Sequence, residues 1–443
     1  MPIVENEFIR ERLGSYRVFI PEPGVRLDAD LLINAIHLQP VAPKEAVRWA
    51  IAIDGSPHEV PVREEYPSTR VGYIQIGGVL VNLRQMLSQS REHLVDPAII
   101  RESILASLYS VVLPGSNVCH ADMPTVRDSW RAEVHRVFQE CRVEDFSLFD
   151  IYKSLMSISG RVTEDDEILL AKCSASTDCG AVDVPVPVQG RPCPQCGQPL
   201  FPTDALRFHE GVSEHDSNVL VLNRLMQVLE HLTMVGHLEW LRRRASHTLG
   251  TIAFIFDGPL AIFGPQATLH RAILGYLHRL EAELEERSLL PPLIIGVEKS
   301  GQFVEHATAI ADSIPPGHLM MLPDEYIYSR ILTFRQDTSR PYGADTYYGQ
   351  KFFYKTLKNQ IFTLTVPKRP GQPDNPWEPR HYPRLADSLS LIEQIATVLY
   401  ENALIPVALA HEYVSIPLRT GSRVLQLLSQ QYLGSSDQNS RSS

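Results

Sequence analysis

At 443 residues the chain is long enough for one large core plus an inserted or appended unit, so two or three domains are expected. Its 44% hydrophobic and 21% charged residues are ordinary for a globular protein, and no run of about eighteen apolar residues offers a membrane span. The net charge of −11 excludes a protein that coats nucleic acid by bulk positive charge, though not an enzyme whose basic residues line one groove.

The N-terminus, MPIVENEFIRERLG, is charged and lacks the apolar core of a signal peptide, so a cytoplasmic location is expected. A short helix is predicted at Val4–Leu13. The first clear strand lies in Ala46–Ser56, AVRWAIAIDGS, whose apolar run delivers Asp54 and then Gly55. Next, Arg70–Leu83 (RVGYIQIGGVLVNL) reads as one or two further strands, with Gly77-Gly78 as a bend or bulge. From Arg84 to about Ser159 apolar residues recur at three- and four-residue spacing, including PAIIRESILASLYSVVL, which predicts helices.

Residues 170–201 break that pattern. Cys193 and Cys196 in PCPQCGQPL have the C-x-x-C-G spacing of a zinc knuckle, a tight turn aiming two thiolates at one ion. Cys173 and Cys179 have five residues between them, a wider spacing than usual, so free loop cysteines are the alternative. Four such ligands would make a closed, structural site. Cys119 and Cys141 read as ordinary thiols.

Asn218–Ala245 predicts one long helix carrying two acids, Glu230 and Glu239. At about 100° per residue, positions nine apart point to nearly opposite faces, so at most one acid faces a site. Glu239 has Arg242 and Arg243 at three and four residues, an exposed ion-pair arrangement, whereas Glu230 lies between Met226 and Met234. A carboxylate on an apolar stripe needs a partner or a cation, and Glu230 is the candidate, the alternative being a helix-edge acid paired to His231 or Arg224.

The segment Thr251–Gly264, TIAFIFDGPLAIFG, repeats the earlier pattern: a buried strand that delivers Asp257 and then Gly258. Asp-Gly alone is also an ordinary turn signal. Two copies, however, could bring two carboxylates to one point, where a proton or a hard divalent cation must lie between them. An amphipathic helix follows at Pro265–Glu286, then the strand Leu293–Val297, with Lys299 at its end as a candidate phosphate ligand. Tyr342–Val366 predicts a hairpin. Its Lys351, Lys355, Lys358, Tyr347, Tyr348 and Tyr354 are either core or the lining of a single-strand channel. A proline-rich connection at 367–384, the helix SLSLIEQIATVLYEN and the strand-like IPVALAHEYVSIPL with His411 lead to a polar tail.

The order of acids, strand Asp54, helix Glu230, strand Asp257 and a late His411, resembles that of the ribonuclease-H-like fold. Within it the chain resembles the NurA family of DNA-end-processing nucleases, on the blocks IAIDGS, FDGPLAIFG, IIGVEKSG and PVALAHEYVSI, spread over residues 46–416. The resemblance implies an α/β fold with a ribonuclease-H-like mixed-sheet core at 1–83 and 218–433, to which periodicity, cysteine spacing and composition add a helical insertion at 84–169, a small zinc-ribbon-like module at 170–201 and a disordered tail at 434–443. It also implies Asp54, Glu230, Asp257 and His411 as ligands of catalytic Mn²⁺ or Mg²⁺, with Lys299 on phosphate; the cluster Cys173, Cys179, Cys193 and Cys196, expected from its spacing to hold Zn²⁺, departs from the compact family pattern and implies an elaborated insertion. The implied activity is metal-dependent hydrolysis of DNA, with single-strand endo- or exonuclease action and end resection, one ion activating water and another stabilising the leaving 3′ oxygen. Implied partners are DNA, a second copy in a homodimer, and a hexameric HerA-type ATPase in repair or anti-phage defence, with no membrane. No Walker A motif occurs in the chain, so DNA pumping would fall to the ATPase. The alternatives are a non-catalytic zinc-bearing adaptor of the ATPase and an RNA-directed nuclease of the same fold.

Overall fold

The computed structural model describes residues 11–13, 15–16, 35–37, 47–88, 104–332, 340–369, 381–382, 384–397, 403–415, 427, 429–431 and 433. Within them one mixed sheet of nine strands carries the molecule. In chain order these are β1 (Ala35–His37), β2 (Trp49–Arg63), β3 (Tyr66–Asn82), β4 (Ile104–Pro114), β5 (Ile252–Asp257), β6 (Leu293–Glu298), β7 (His318–Met321), β8 (Gly349–Lys355) and β9 (Ile361–Pro367). Their spatial order is β1-β7-β8-β9-β6-β5-β2-β3-β4. β2, β3 and β4 form an antiparallel meander, and β5 pairs parallel with both β2 and β6. The remaining pairs are antiparallel.

Alternation along the central strands sets two buried faces. On β2, Ile51 and Ile53 point to one side and Ala50 and Ala52 to the other, all nearly inaccessible. The isoleucine side is covered by α1 (Val126–Glu140), α2 (Leu148–Ile158), α3 (Val219–Ala245) and α4 (Leu269–Glu286). The alanine side is covered by α5 (Leu385–Ile395) and α6 (Ile405–Val414). Small residues under α6 let that helix lie close to the sheet. α3 is apolar on nearly every face because sheet and helices enclose it, and its last turn ends in Arg242, Arg243 and Arg244, which complement the helix dipole.

Several expectations are corrected. Asp54 and Gly55 do not end a strand: β2 runs on to Arg63, paired with β3 throughout. The Gly77-Gly78 pair is no bulge either, since the β2–β3 register shifts only between Pro61 and Arg63. The segment 84–169 is not wholly helical, because Ile104–Pro114 is the edge strand β4. Its second half alternates, with Val111 and Leu113 buried and Leu108 and Val112 exposed, a period of two hidden by chance apolar matches at helical spacing. The strand-like run at His411 is the helix α6, with Pro406 in its first turn and Val407, Ala410 and Val414 buried at helical spacing. Of the predicted Val4–Leu13 helix, only 11–13 are described, and they are helical; the tail 434–443 and most of the proline-rich connection lie outside the described residues. Among the described residues no helix is long and apolar enough to cross a membrane.

The cysteine segment folds as two small ribbons, Ile168–Lys172 with Val182–Val186 and Arg191–Pro192 with Pro199–Leu200. It is tied to the body by a buried ion pair. Arg131 of α1 donates to both carboxylate oxygens of Asp204 (3.1 and 2.6 Å), to Pro199 O and to Ser174 Oγ. That pair is fully hydrogen-bonded, which is what makes two charges tolerable there.

Candidate functional site

β5 stops at Asp257 while β2 continues, so beyond the Ile53–Phe256 pair β2 has no neighbour on that side and a cleft opens. Asp54 and Asp257 stand at this break. Strand alternation turns both side chains to the α6 face, where His411 meets them: its Nδ1–H donates to Asp54 Oδ2 at 2.9 Å. One ligand atom from each of Asp54, Asp257 and His411 lies within 4.8 Å of the other two.

Glu230 reaches the cleft from the other side. It sits on α3, across the sheet, and the missing side chain of Gly55 makes room for it: a Cβ there would lie 2.8 Å from Glu230 Oε1 and 2.5 Å from Met226 Cγ. Asp54, Glu230, Asp257 and His411 thus line one cavity of about 490 Å³. Glu239 faces away, held by Arg242 (2.8 Å), Arg243 (2.7 Å) and the Tyr276 hydroxyl.

The electrostatics favour a cation. Burial, then the neighbouring Asp257, push the Asp54 carboxyl above its ordinary value, against the pull of His411 and the Gly55 N–H. Burial, then Asp54 and Asp257, push Glu230 well above its own. Lys299 is the one ammonium on the cluster among the described residues, donating to Asp257 Oδ2 at 2.7 Å. Three acids against one lysine leave negative charge that a divalent cation would neutralise, and carboxylate oxygens with an imidazole nitrogen are donors suited to one.

The loop after Asp257 is fixed from beneath. His231 donates through Nε2 to Ala261 O (2.9 Å) and accepts at Nδ1 from the Tyr348 hydroxyl (3.3 Å). Burial draws its pKa down to about 4, which keeps it neutral.

The hairpin β8–β9 lies inside the sheet, so its aromatics are core. Tyr347, Tyr348, Tyr354, Lys351 and Lys355 are all buried, and the reading of these residues as a single-strand channel is corrected. Lys351 instead pairs with Glu298 (2.8 Å) and lies 3.5 Å from the centre of the Phe303 ring. The sequence reading missed Asn223, Arg224 and Gln227, which line the cleft with Glu230. A signal existed: Asn223, Gln227 and Glu230 recur at four and three residues, a polar stripe on an otherwise apolar helix.

A second cluster joins the four cysteines of the insertion. The Sγ atoms of Cys173, Cys179, Cys193 and Cys196 lie within 4.8 Å of one another, with Cys173–Cys196 at 3.8 Å and Cys179–Cys193 at 3.7 Å. A tetrahedral ion with metal–sulfur bonds of about 2.3 Å needs edges of about 3.8 Å, so the geometry fits one. Backbone N–H groups of Cys196 and Gln195 draw the Cys193 thiol down to about 6. Cys119 and Cys141 stand outside this cluster, as expected.

A solved NurA nuclease from Sulfolobus solfataricus is 9% identical, over 91% of this chain and 89% of that one, with a TM-score of 0.37. A NurA structure bound to dAMP and manganese is 12% identical, over 88% and 89%, with a TM-score of 0.27. Another with manganese is 12% identical, over 94% and 91%, with a TM-score of 0.21. No curated protein matches the chain. The NurA domain model, by contrast, matches continuously over residues 50–416, from the strand that carries Asp54 to just beyond the helix that carries His411, and the chain belongs to the NurA domain family.

Proposed function

We propose that this protein is a divalent-metal-dependent deoxyribonuclease that cuts single strands and resects DNA ends. The observation that carries this reading is the convergence of Asp54, Asp257 and His411 from three separate elements, with Glu230 entering through the gap at Gly55. Membership of the NurA family supports it. We also propose a ribonuclease-H-like core (1–83 and 218–433), to which the edge strand β4 is added, because an antiparallel opening followed by parallel strands suits that fold. Catalytic Mn²⁺ or Mg²⁺, a homodimer, a HerA-type ATPase partner, a cytoplasmic setting and a role in repair or defence belong to the same reading.

When bound, the metal supplies Lewis-acid stabilisation of the phosphate and a water of lowered pKa. Asp54 and Asp257 would hold it through their carboxylate oxygens, with Glu230, which reaches the same cavity from the other side of the sheet, as the third acid. Asp54 fixes the His411 tautomer through Nδ1–H, which leaves Nε2 as the nitrogen that binds metal or accepts a proton. Lys299, on Asp257, is placed to take a phosphate oxygen as substrate arrives.

The test is cleavage of end-labelled single- and double-stranded DNA with Mn²⁺, Mg²⁺ or EDTA. Cutting is expected with either ion and none with the chelator; chelator-resistant cutting would remove the metal mechanism. A labelled RNA run in parallel separates the two nuclease readings.

For the insertion we propose a closed, structural Zn²⁺ on its four cysteines. One zinc per chain is expected by elemental analysis, falling to none in Cys193→Ser/Cys196→Ser. That variant is expected to become protease-sensitive within 170–201, since these ribbons bury little apolar surface of their own. Unchanged proteolysis would show that the module holds without metal.

A further inference from the structure

We propose that a groove between the cysteine module and the end of α2 carries the incoming DNA strand to the acid cluster; this rests on the nuclease reading above. The groove has a volume of about 910 Å³ and one wall on the module, at Lys172, Cys173 and Ser174. Arg161, just after α2, and Arg271 in the first turn of α4 line it as well. It adjoins the acid-lined cavity at Gly264, which lines both. Arg224 marks the junction: a Cβ on Gly264 would lie 3.1 Å from its Nε.

Basic residues outnumber acids along this path, whose acids are Asp204, held by Arg131, and Glu210 and Asp345. Arg161, Lys172, Arg207 and Arg271 line the groove, and Arg224 leads from it into the cleft. Among the described residues, Arg161 and Arg224 have no acidic partner within 4 Å. The others meet Glu210 and Asp345 in solvent-exposed pairs (Arg207–Glu210 2.5 Å, Lys172–Glu210 3.8 Å, Arg271–Asp345 3.5 Å). Such pairs are worth little and exchange readily for phosphate. On a chain whose net charge is −11 as a whole, a run of basic side chains leading to three carboxylates is a specific feature. The only described aromatic on the cleft rim with substantial exposure is Phe263, beside Gly264, where a base could stack as the strand passes from groove to cleft. The module then has a task beyond its own stability: it forms one bank of the channel.

The experiment uses the full chain in an Asp257→Asn background, which keeps the DNA intact, and measures binding of labelled oligothymidylates of 4 and 20 nucleotides by anisotropy. On this proposal the 4-mer is too short to run from the acid cleft along the groove, while the 20-mer is long enough to occupy both. Arg161→Glu/Arg271→Glu is expected to weaken the 20-mer at least tenfold and change the 4-mer less than twofold. Losing two phosphate contacts lowers the salt slope for the 20-mer by about 1.4. Lys172→Glu, on the opposite bank, is expected to act in the same direction, and Arg287→Glu, at the end of α4, to leave both affinities unchanged. Equal loss for the two lengths, or an unaffected 20-mer, would overturn the channel while leaving the nuclease reading intact. Failure of the parent protein to bind either oligonucleotide would overturn both.

Discussion

Replacing Glu230 with glutamine is expected to make the metal-free protein more stable at pH 8 while cutting DNA cleavage by at least a thousandfold. The two effects share a cause. Glu230 is buried beside Asp54 and Asp257, and all three influences hold its folded-state pKa well above the ordinary carboxylate value. A raised carboxyl pKa means that the folded chain holds a proton which the unfolded chain has released. Its stabilising contribution is therefore complete below the unfolded value of about 4.3 and is lost as pH rises through the folded one. Asp54, also raised, acts in the same direction. Glutamine keeps the shape and removes the charge, so the variant is expected to gain about 0.5–2 kcal/mol over wild type in EDTA at pH 8 and almost nothing at pH 4.

Added Mn²⁺ should reverse the order. Wild type gains about 2.7 kcal/mol at a hundred times its Kd, whereas the variant, lacking one ligand, gains less. Metal binding must also displace the shared protons, so the Mn²⁺-induced rise in Tm is expected to grow from pH 5 to pH 8. Thermal melts at the three pH values, with and without Mn²⁺, check the stability claim, and labelled DNA checks the cleavage claim. Glu239→Ala is the control: its carboxylate serves Arg242 and Arg243, so cutting is expected to persist. A Glu230→Gln protein that melts earlier than wild type in EDTA at pH 8 would show that the acids do not strain the fold.

How much of this could be read beforehand depended on whether the signal was local. Asp54 and Asp257 were legible because each follows an apolar run ending in Asp-Gly, and Glu230 was preferred to Glu239 because helix geometry allows only one and Glu239 has Arg242 and Arg243 beside it. The hairpin at Tyr342–Val366 was legible for the same reason, and β8–β9 occupies it. What escaped was set by tertiary context. IPVALAHEYVSIPL has the β-branched ends and apolar middle of a strand, yet its Ile405–Val414 packs as α6 on a face of β2 and β3 floored with Ala50, Ala52 and Gly77. Ile104–Pro114 mimicked a helix since its outward positions, Leu108 and Val112, are apolar too. The lysines and tyrosines of β8–β9 left core and a nucleic-acid surface both open, and the sheet order, with β8 enclosed between β7 and β9, decides for core. Side chains on both faces of an interior strand are buried whatever their polarity.

A single methyl group at Gly77 is expected to test whether His411 belongs to the site. Gly77 pairs with Asp54 across β2 and β3, and its face lies directly under α6. A Cβ there would stand 2.4 Å from Val414 Cγ1, closer than any van der Waals contact, and Val414 lies three residues after His411 on the same helix. By propensity alone, Gly77→Ala within a strand should stabilise by about 0.5–1 kcal/mol. We expect the opposite sign, a loss of about 1–3 kcal/mol, because α6 must lift or slide to admit the methyl. Any such movement draws His411 Nδ1 away from Asp54 Oδ2, now 2.9 Å apart, and a displacement of about 1 Å at a reacting group costs about a hundredfold in rate. The second substitution Val414→Ala removes the atom in the way. The double variant is therefore expected to recover most of the lost stability and cleavage, with a coupling of 1 kcal/mol or more between the two positions, within the range of about 0.5–3 kcal/mol for residues in contact. Urea melts of the four proteins in this cycle give the coupling, and Mn²⁺-dependent cleavage gives the rate. If Gly77→Ala loses stability but cuts at the wild-type rate, α6 serves packing only and His411 has no part in the chemistry.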